Sequence, residues 1–297
     1  MSFHYNGTRF FIVYSVKLFT GTLALYISKY SYDEIYEIRL RLNRPVVLKT
    51  KAGTVKLRHE SGRYYIVTKE DIDRVVGVSS GFSVYSVTEE LVSGYLRYEK
   101  GIRIGATGEG VVESGKILSM KSISSLLIRL PHEVKGIGDQ VKSRAKGAKN
   151  ILVVSPPGCG KTTLLRDLAR VYSKELQTLI IDERGELSAL TDGVPCLDVG
   201  ECDVVANVPK IIAYENCVRA MSPELIVTDE IFKKGEIEAV RDIVRAGVRV
   251  FASVHASDVS DLTGEFKTLR ETFDCCVVLS DKPTVGHIAK IDLRGEN

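Results

Sequence analysis

Six cysteines serve a chain of 297 residues: Cys159, Cys196, Cys202, Cys217, Cys275 and Cys276. They form no CxxC pair and show no His/Cys metal spacing. This excludes a disulfide scaffold and a zinc framework, and predicts reduced, mostly buried thiols in a cytosolic protein. Internal repeats and low-complexity tracts are also lacking. One apolar run stands out, FFIVYSVKLFTGTLALYI at 10–27. It approaches membrane-span length, but Lys17 sits near its middle, Thr20 and Thr22 interrupt it, and Gly21 weakens a helix. No small-residue cleavage site makes it a signal peptide. The run reads as a buried strand and helix of an N-terminal domain, with a membrane-associated segment as the alternative. Hydrophobic content of 44% and charged content of 27% suit a soluble globular protein, and the length allows two domains. The net charge of +3 conceals an asymmetry, because residues 1–149 carry 24 Lys and Arg against 14 Asp and Glu, and residues 150–297 carry 17 against 24. Three readings fit: scattered solvated charge, contact between basic and acidic halves of neighbouring subunits, or a basic half that meets nucleic acid or anionic lipid.

The most informative stretch is NILVVSPPGCGKTTLLRDLA, 150–169. It reads as a buried strand (Ile151 to Val154), a glycine-bearing loop and a helix opening at Lys161 or Thr162. Such a loop turns backbone N–H groups toward the positive end of a helix dipole, a ready site for polyphosphate. Pro157, Gly158, Cys159, Gly160, Lys161, Thr162 and Thr163 form the phosphate-binding set. Gly158 and Gly160 let the backbone bend tightly, Lys161 reaches the β and γ phosphates, and the Thr162 hydroxyl is a Mg²⁺ ligand. The usual pattern opens on glycine, where Ser155 stands here, followed by Pro156. Cys159 reads as a small filler. The predicted cofactors are ATP and Mg²⁺.

Before this loop, Ser31 and Asp33 cap a short helix leading into Glu37-Ile38-Arg39-Leu40-Arg41-Leu42, whose alternation is that of a half-buried strand. Residues 38–67 read as an antiparallel meander, and Thr68 caps a helix over 69–79. Tyr95–Tyr98 and Ile102–Ile104 read as paired strands among turns marked by Gly101, Gly105, Gly108 and Gly110, and another apolar run covers Ile123–Leu130. The expected organisation is an α+β domain over 1–135, a Gly- and Lys-rich linker over 136–149, and a second domain over 150–297. In that domain strands alternate with helices, so the fold class is α/β with a mainly parallel sheet. Strands are predicted at 178–182, 225–230, 248–254, 275–279 and 287–293, and helices at 209–221 and 236–246.

Parallel strands deliver their functional ends to one edge of the sheet. Asp182, Glu183 and Glu186 follow the second strand of the domain, Asp229 and Glu230 the third, and His255 the fourth. Asp229 is the metal-side residue, holding Mg²⁺ through its water shell, and Glu230 the general base. His255 senses the γ-phosphate. Asp182, Glu183 and Glu186 are catalytic candidates, Glu183 foremost, with salt bridging of this acid box to Arg184 or Lys174 as the alternative.

LIIDERGE (179–186), CVRAMSPELIVTDE (217–230) and SVHASD (253–258), in order behind the phosphate loop, resemble the secretion-ATPase branch of the RecA-like P-loop NTPases. Within it the chain resembles the stage III sporulation AA family. SPPGCGKTTLLRDLAR (155–170), EIRLR (37–41), YSVTEELVSGY (85–95), GIRIGATGEGVV (101–112) and SISSLLIRLPHEVKG (122–136) carry that likeness, over about 30–260. The resemblance implies a RecA-like ATPase domain behind a smaller α+β domain, a homo-hexameric ring, membrane proteins of a sporulation channel as partners, and a cytoplasmic location peripheral to the inner membrane. It makes Arg39, Arg41, Arg103 and Arg129 candidates for reaching phosphate across subunits, and Arg219 a sensor of nucleotide state. The chain departs from the family after Asp229-Glu230, where Phe232, Lys233 and Lys234 replace an expected glycine and arginine. An ATP-dependent nucleic-acid-binding protein and a nucleotide-gated scaffold with little turnover stay open as alternatives.

Overall fold

In the computed structural model, which describes residues 17–83, 95–191 and 193–295, the alternating run after Asp33 forms strand β1 (Ile35–Arg41). Ile35, Ile38 and Leu40 turn into a core, and Arg39 and Arg41 turn away from it, as the two-residue period requires. β2 (Val47–Thr50) and β3 (Gly53–Lys56) complete a meander with β1. β4 (Tyr95–Tyr98), β5 (Ile102–Glu113) and β6 (Lys116–Arg129) fill the other side, giving an antiparallel sheet of order β3-β2-β1-β6-β5-β4. β5 and β6 run well beyond the short strands expected. Gly105, Gly108 and Gly110, read as turn markers, lie inside β5: Gly105 and Gly110 pair with Leu127 and Met120 of β6, and Gly108 sits at a register shift between Thr107 and Glu109.

Helix α1 (Gly21–Ile27) buries Leu23, Ala24 and Ile27 against this sheet's core, and α2 (Lys69–Ser79) buries Ile72 and Val75. Thr68 caps α2 as predicted: its hydroxyl oxygen accepts from the Asp71 N–H, and Asp71 Oδ2 accepts from the Thr68 N–H at 2.9 Å. The strand expected early in the apolar 10–27 run falls partly on residues outside those described. No helix among the described residues is long and apolar enough to cross a membrane.

Residues 1–132 make one compact unit and residues 133–297 another. The stretch 136–149, expected as a linker, belongs to the second unit and contains helix α3 (Ile137–Arg144). Its polar, glycine-rich composition hid a close contact. The Gly138 N–H donates to Asp167 Oδ2 at 2.7 Å within helix α4 (Lys161–Tyr172), and a Cβ on Gly138 would lie 2.8 Å from the Asp167 carbonyl carbon. Gly138→Ala should therefore lower stability by about 1–3 kcal/mol, read as a fall in the denaturation midpoint.

The second unit is built on a seven-stranded sheet of order β13-β12-β7-β11-β10-β8-β9. Its strands are β7 (Ile151–Val154), β8 (Thr178–Asp182), β9 (Asp203–Ala206), β10 (Leu225–Glu230), β11 (Arg249–Val254), β12 (Cys275–Ser280) and β13 (His287–Leu293). All neighbours pair in parallel except β12 and β13. α3 and α4 pack on one face, and α5 (Lys210–Met221), α6 (Lys234–Arg245) and α7 (Glu265–Thr272) on the other. The expected strands recur within a residue or two. β9, a four-residue edge strand, and the polar α7 were not foreseen, since neither carries a strong apolar period. The carboxyl ends of β7, β8, β10 and β11 emerge along one edge, which positions the site.

Candidate active site

The loop between β7 and α4 turns on Gly158 (φ 78°) and Gly160 (φ 90°), in the left-handed region that favours glycine. Gly160 caps α4 and approaches Gly286 closely, with 3.3 Å from a built Cβ to its Cα. The Lys161 ammonium is largely buried. It donates to the carbonyls of Ser155 at 2.9 Å and Pro156 at 3.1 Å, and to His255 Nδ1 at 2.7 Å. An ammonium offers only protons, so Nδ1 is the acceptor and Nε2 carries the proton directed to Glu230 Oε2, 3.0 Å away. Burial lowers the Lys161 pKa, opposed by the Glu230 charge. The result is a continuous chain, Lys161–His255–Glu230, with Arg184 approaching Glu230 Oε2 at 3.5 Å.

Asp229 lies deeper. Its Oδ1 is 2.7 Å from Lys210 Nζ, an ion pair outside hydrogen-bond geometry, and neither carboxylate oxygen has a hydrogen-bond donor among the described residues. Burial pushes its pKa up to about 6, with the Lys210 charge opposing. Lys210 also pairs with Glu183 Oε2 at 3.0 Å. Burial alone would raise the Glu183 carboxyl, but Lys210 outweighs it and holds the pKa below the ordinary value.

Asp182 is fully buried and accepts from the N–H groups of Glu186, Leu187 and Ser188 and from the Ser188 hydroxyl, all within 3.1 Å. Its carboxylate closes the turn that carries the acid box and is not free for chemistry. Asp182→Ala should leave those donors unsatisfied and cost about 1–3 kcal/mol or more, measured by chemical denaturation.

Pro157, Gly158, Gly160, Lys161, Thr162, Thr163, Asp229, Glu230 and His255 line one cavity of about 320 Å³. Glu186, a candidate of the acid box, lines it too, as do Arg184 and Ser253, which were not foreseen as site residues. Arg184 and Glu186 lay in plain view within the acid box, but a strand-end loop has no periodicity to say which side chains turn inward. Lys210 gave no signal at all, being one lysine at a helix start. Among the other candidates, Cys159 packs into the core and does not line the cavity, which agrees with its reading as a filler. Glu183 is turned to Lys210, and Arg219 is exposed on α5. Arg39, Arg41, Arg103 and Arg129 belong to the first unit. Arg39 and Arg41 line a hollow there of about 310 Å³ around Gly105. Arg129 pairs loosely with Glu37 at 3.8 Å, and Arg103 lies 5.2 Å from the centre of the Tyr95 ring.

A second cavity of about 390 Å³ shares Gly160 and Thr163 with the first and extends between α3 and residues 284–288. The residues fit a hydrated magnesium ion: the Thr162 hydroxyl and a donor-free Asp229 carboxylate line the same cavity.

A mainly parallel sheet whose first strand leads into a glycine loop around a buried lysine, with an acid pair closing β10, is the α/β fold of the secretion ATPases. The chain superposes on the DotB ATPase of Yersinia pseudotuberculosis at 17% identity with a TM-score of 0.59, covering 88% of this chain and 76% of that one. It superposes on the pilus retraction motor PilT, solved with bound ADP, at 13% identity with a TM-score of 0.50, covering 82% and 74%. The chain belongs to the sporulation stage III, protein AA family, whose pattern matches residues 17–297. It is 34% identical over 245 residues to stage III sporulation protein AA of Bacillus subtilis, covering 80% of this chain and 78% of that protein. The family match thus extends beyond the 30–260 stretch read from motifs.

Proposed function

We propose that this chain is an ATPase that converts ATP to ADP and phosphate and works as a hexameric ring to energise a sporulation-associated channel complex. The observation that carries this reading is the convergence of Lys161, Thr162, Asp229, Glu230 and His255 on one cavity. Lys161 and the loop bind the phosphates, and the adjoining cavity beside Gly160 and Thr163 takes the nucleoside. Thr162 and Asp229 hold magnesium, which when bound would neutralise phosphate charge. Glu230 accepts the proton of the attacking water, oriented by His255 Nε2–H. Arg184 adds positive charge at the same edge.

Residues 1–132 act as an α+β domain and residues 133–297 as the RecA-like motor. Arg39, Arg41, Arg103 and Arg129 reach a neighbour's nucleotide, and Arg219 responds to its state. The ring works in the cytoplasm, against membrane partners. Phosphate release from purified protein with Mg²⁺ and ATP tests the reading; an assembled ring without turnover would overturn it.

One observation favours a second reading. The outward face of the first unit's sheet bears Arg39, Arg41, Lys49, Lys56, Arg103 and Arg129 in neighbouring registers, a surface suited to nucleic acid. Such binding should weaken steeply across a salt series, and a flat response would remove it.

A further inference from the structure

Lys210 opens α5, and its side chain is entirely excluded from solvent. A buried ammonium persists only beside groups that replace its water. Here these are Asp229 Oδ1 at 2.7 Å, Glu183 Oε2 at 3.0 Å, and the Phe232 ring, whose centre lies 5.6 Å away. The two carboxylates belong to different strands. Asp229 sits near the end of β10 and Glu183 directly follows β8, its neighbour in the sheet. One ammonium therefore ties two strand ends to the start of a helix, immediately behind the phosphate cavity.

We propose that Lys210 is a positioning residue for the magnesium-binding carboxylate. Its charge holds Oδ1 of Asp229 and leaves Oδ2 for the cation's water shell. It also leaves the three-residue cluster with one net negative charge rather than two, so a cation is drawn to the side of Asp229 that shares the cavity with Thr162 and not into the gap between Asp229 and Glu183. The inference rests on the ATPase reading and goes beyond it by assigning a role to a residue that does not line the phosphate cavity.

The test follows binding of a fluorescent ADP analogue to the full chain, in EDTA and with MgCl₂ added stepwise, for wild type, Lys210→Met and Lys210→Arg, with thermal melting in parallel. Lys210→Met should raise the magnesium needed for half-maximal effect by about 10-fold or more, the range for groups that orient metal ligands. Affinity in EDTA should not change, and Lys210→Arg should restore most of the magnesium response. A Lys210→Met protein that melts lower but responds to magnesium like wild type overturns the proposal, because a purely structural lysine behaves that way. If Lys210→Met does not fold, Glu183→Gln decides. It removes the second anchor of the ammonium, so that Lys210 holds Asp229 less firmly, and should raise the magnesium requirement; an unchanged requirement overturns the proposal. Wild type that binds no analogue at all would sink the nucleotide reading itself, a result distinct from either of these.

Discussion

Lys161→Ala should abolish ATP turnover and weaken nucleotide binding by on the order of 10²–10³-fold, the loss expected when one preorganised charged donor is removed from a water-excluded site. The expectation comes from where the ammonium is kept. It is buried at the start of α4, held by two loop carbonyls and His255, so it stands ready for anionic oxygens without reordering a long flexible side chain. Its three protons now satisfy two loop carbonyls and His255 Nδ1. The alanine variant should also free His255 Nδ1 and loosen the link to Glu230. The fold should survive, because burial already disfavours the charged ammonium. Fluorescent-nucleotide binding and phosphate release, with far-UV circular dichroism as a control, check this; retained turnover in a folded variant would refute the assigned role.

Glu230→Gln should lower the hydrolysis rate by roughly 10²–10⁴-fold while leaving ATP binding almost unchanged, as befits loss of a proton acceptor. The amide keeps the shape of the carboxylate and can still accept from His255 Nε2, now 3.0 Å from Glu230 Oε2. It cannot take a proton from water. Single-turnover hydrolysis beside equilibrium ATP binding separates the two effects. The same variant discriminates a motor from a nucleotide-gated scaffold: a scaffold should assemble and support its cellular process with glutamine here, and a motor should assemble but fail. Trapping of bound ATP in the assembled ring would be the clearest sign of the motor.

Much of this site was legible because its parts lie in short runs with their own chemistry. The glycines and Lys161 stand in one loop, and Asp229, Glu230 and His255 stand at the ends of strands whose unbroken apolar character marks them as buried. Parallel pairing then brings those ends together almost of necessity. Illegible parts depended on direction or distance. A helix was hidden in 136–149 because what fixes it is one glycine pressed against the Asp167 backbone, a contact 29 residues away in sequence. Asp182 was grouped with the acids of its box, yet four hydrogen bonds from Glu186, Leu187 and Ser188 commit it to shaping the turn.

By itself the amino-acid sequence determined the class of the second domain, the phosphate loop and the identities of the acids, since local periodicity and backbone chemistry act over a few residues. Only the tertiary structure decided which acids face the cavity and which are bound elsewhere, and that a lysine at the head of α5 sits sealed between Asp229 and Glu183. The reason is physical: burial and ion pairing depend on which distant elements enclose a side chain, and strand ends and helix starts carry no periodic pattern that records their neighbours.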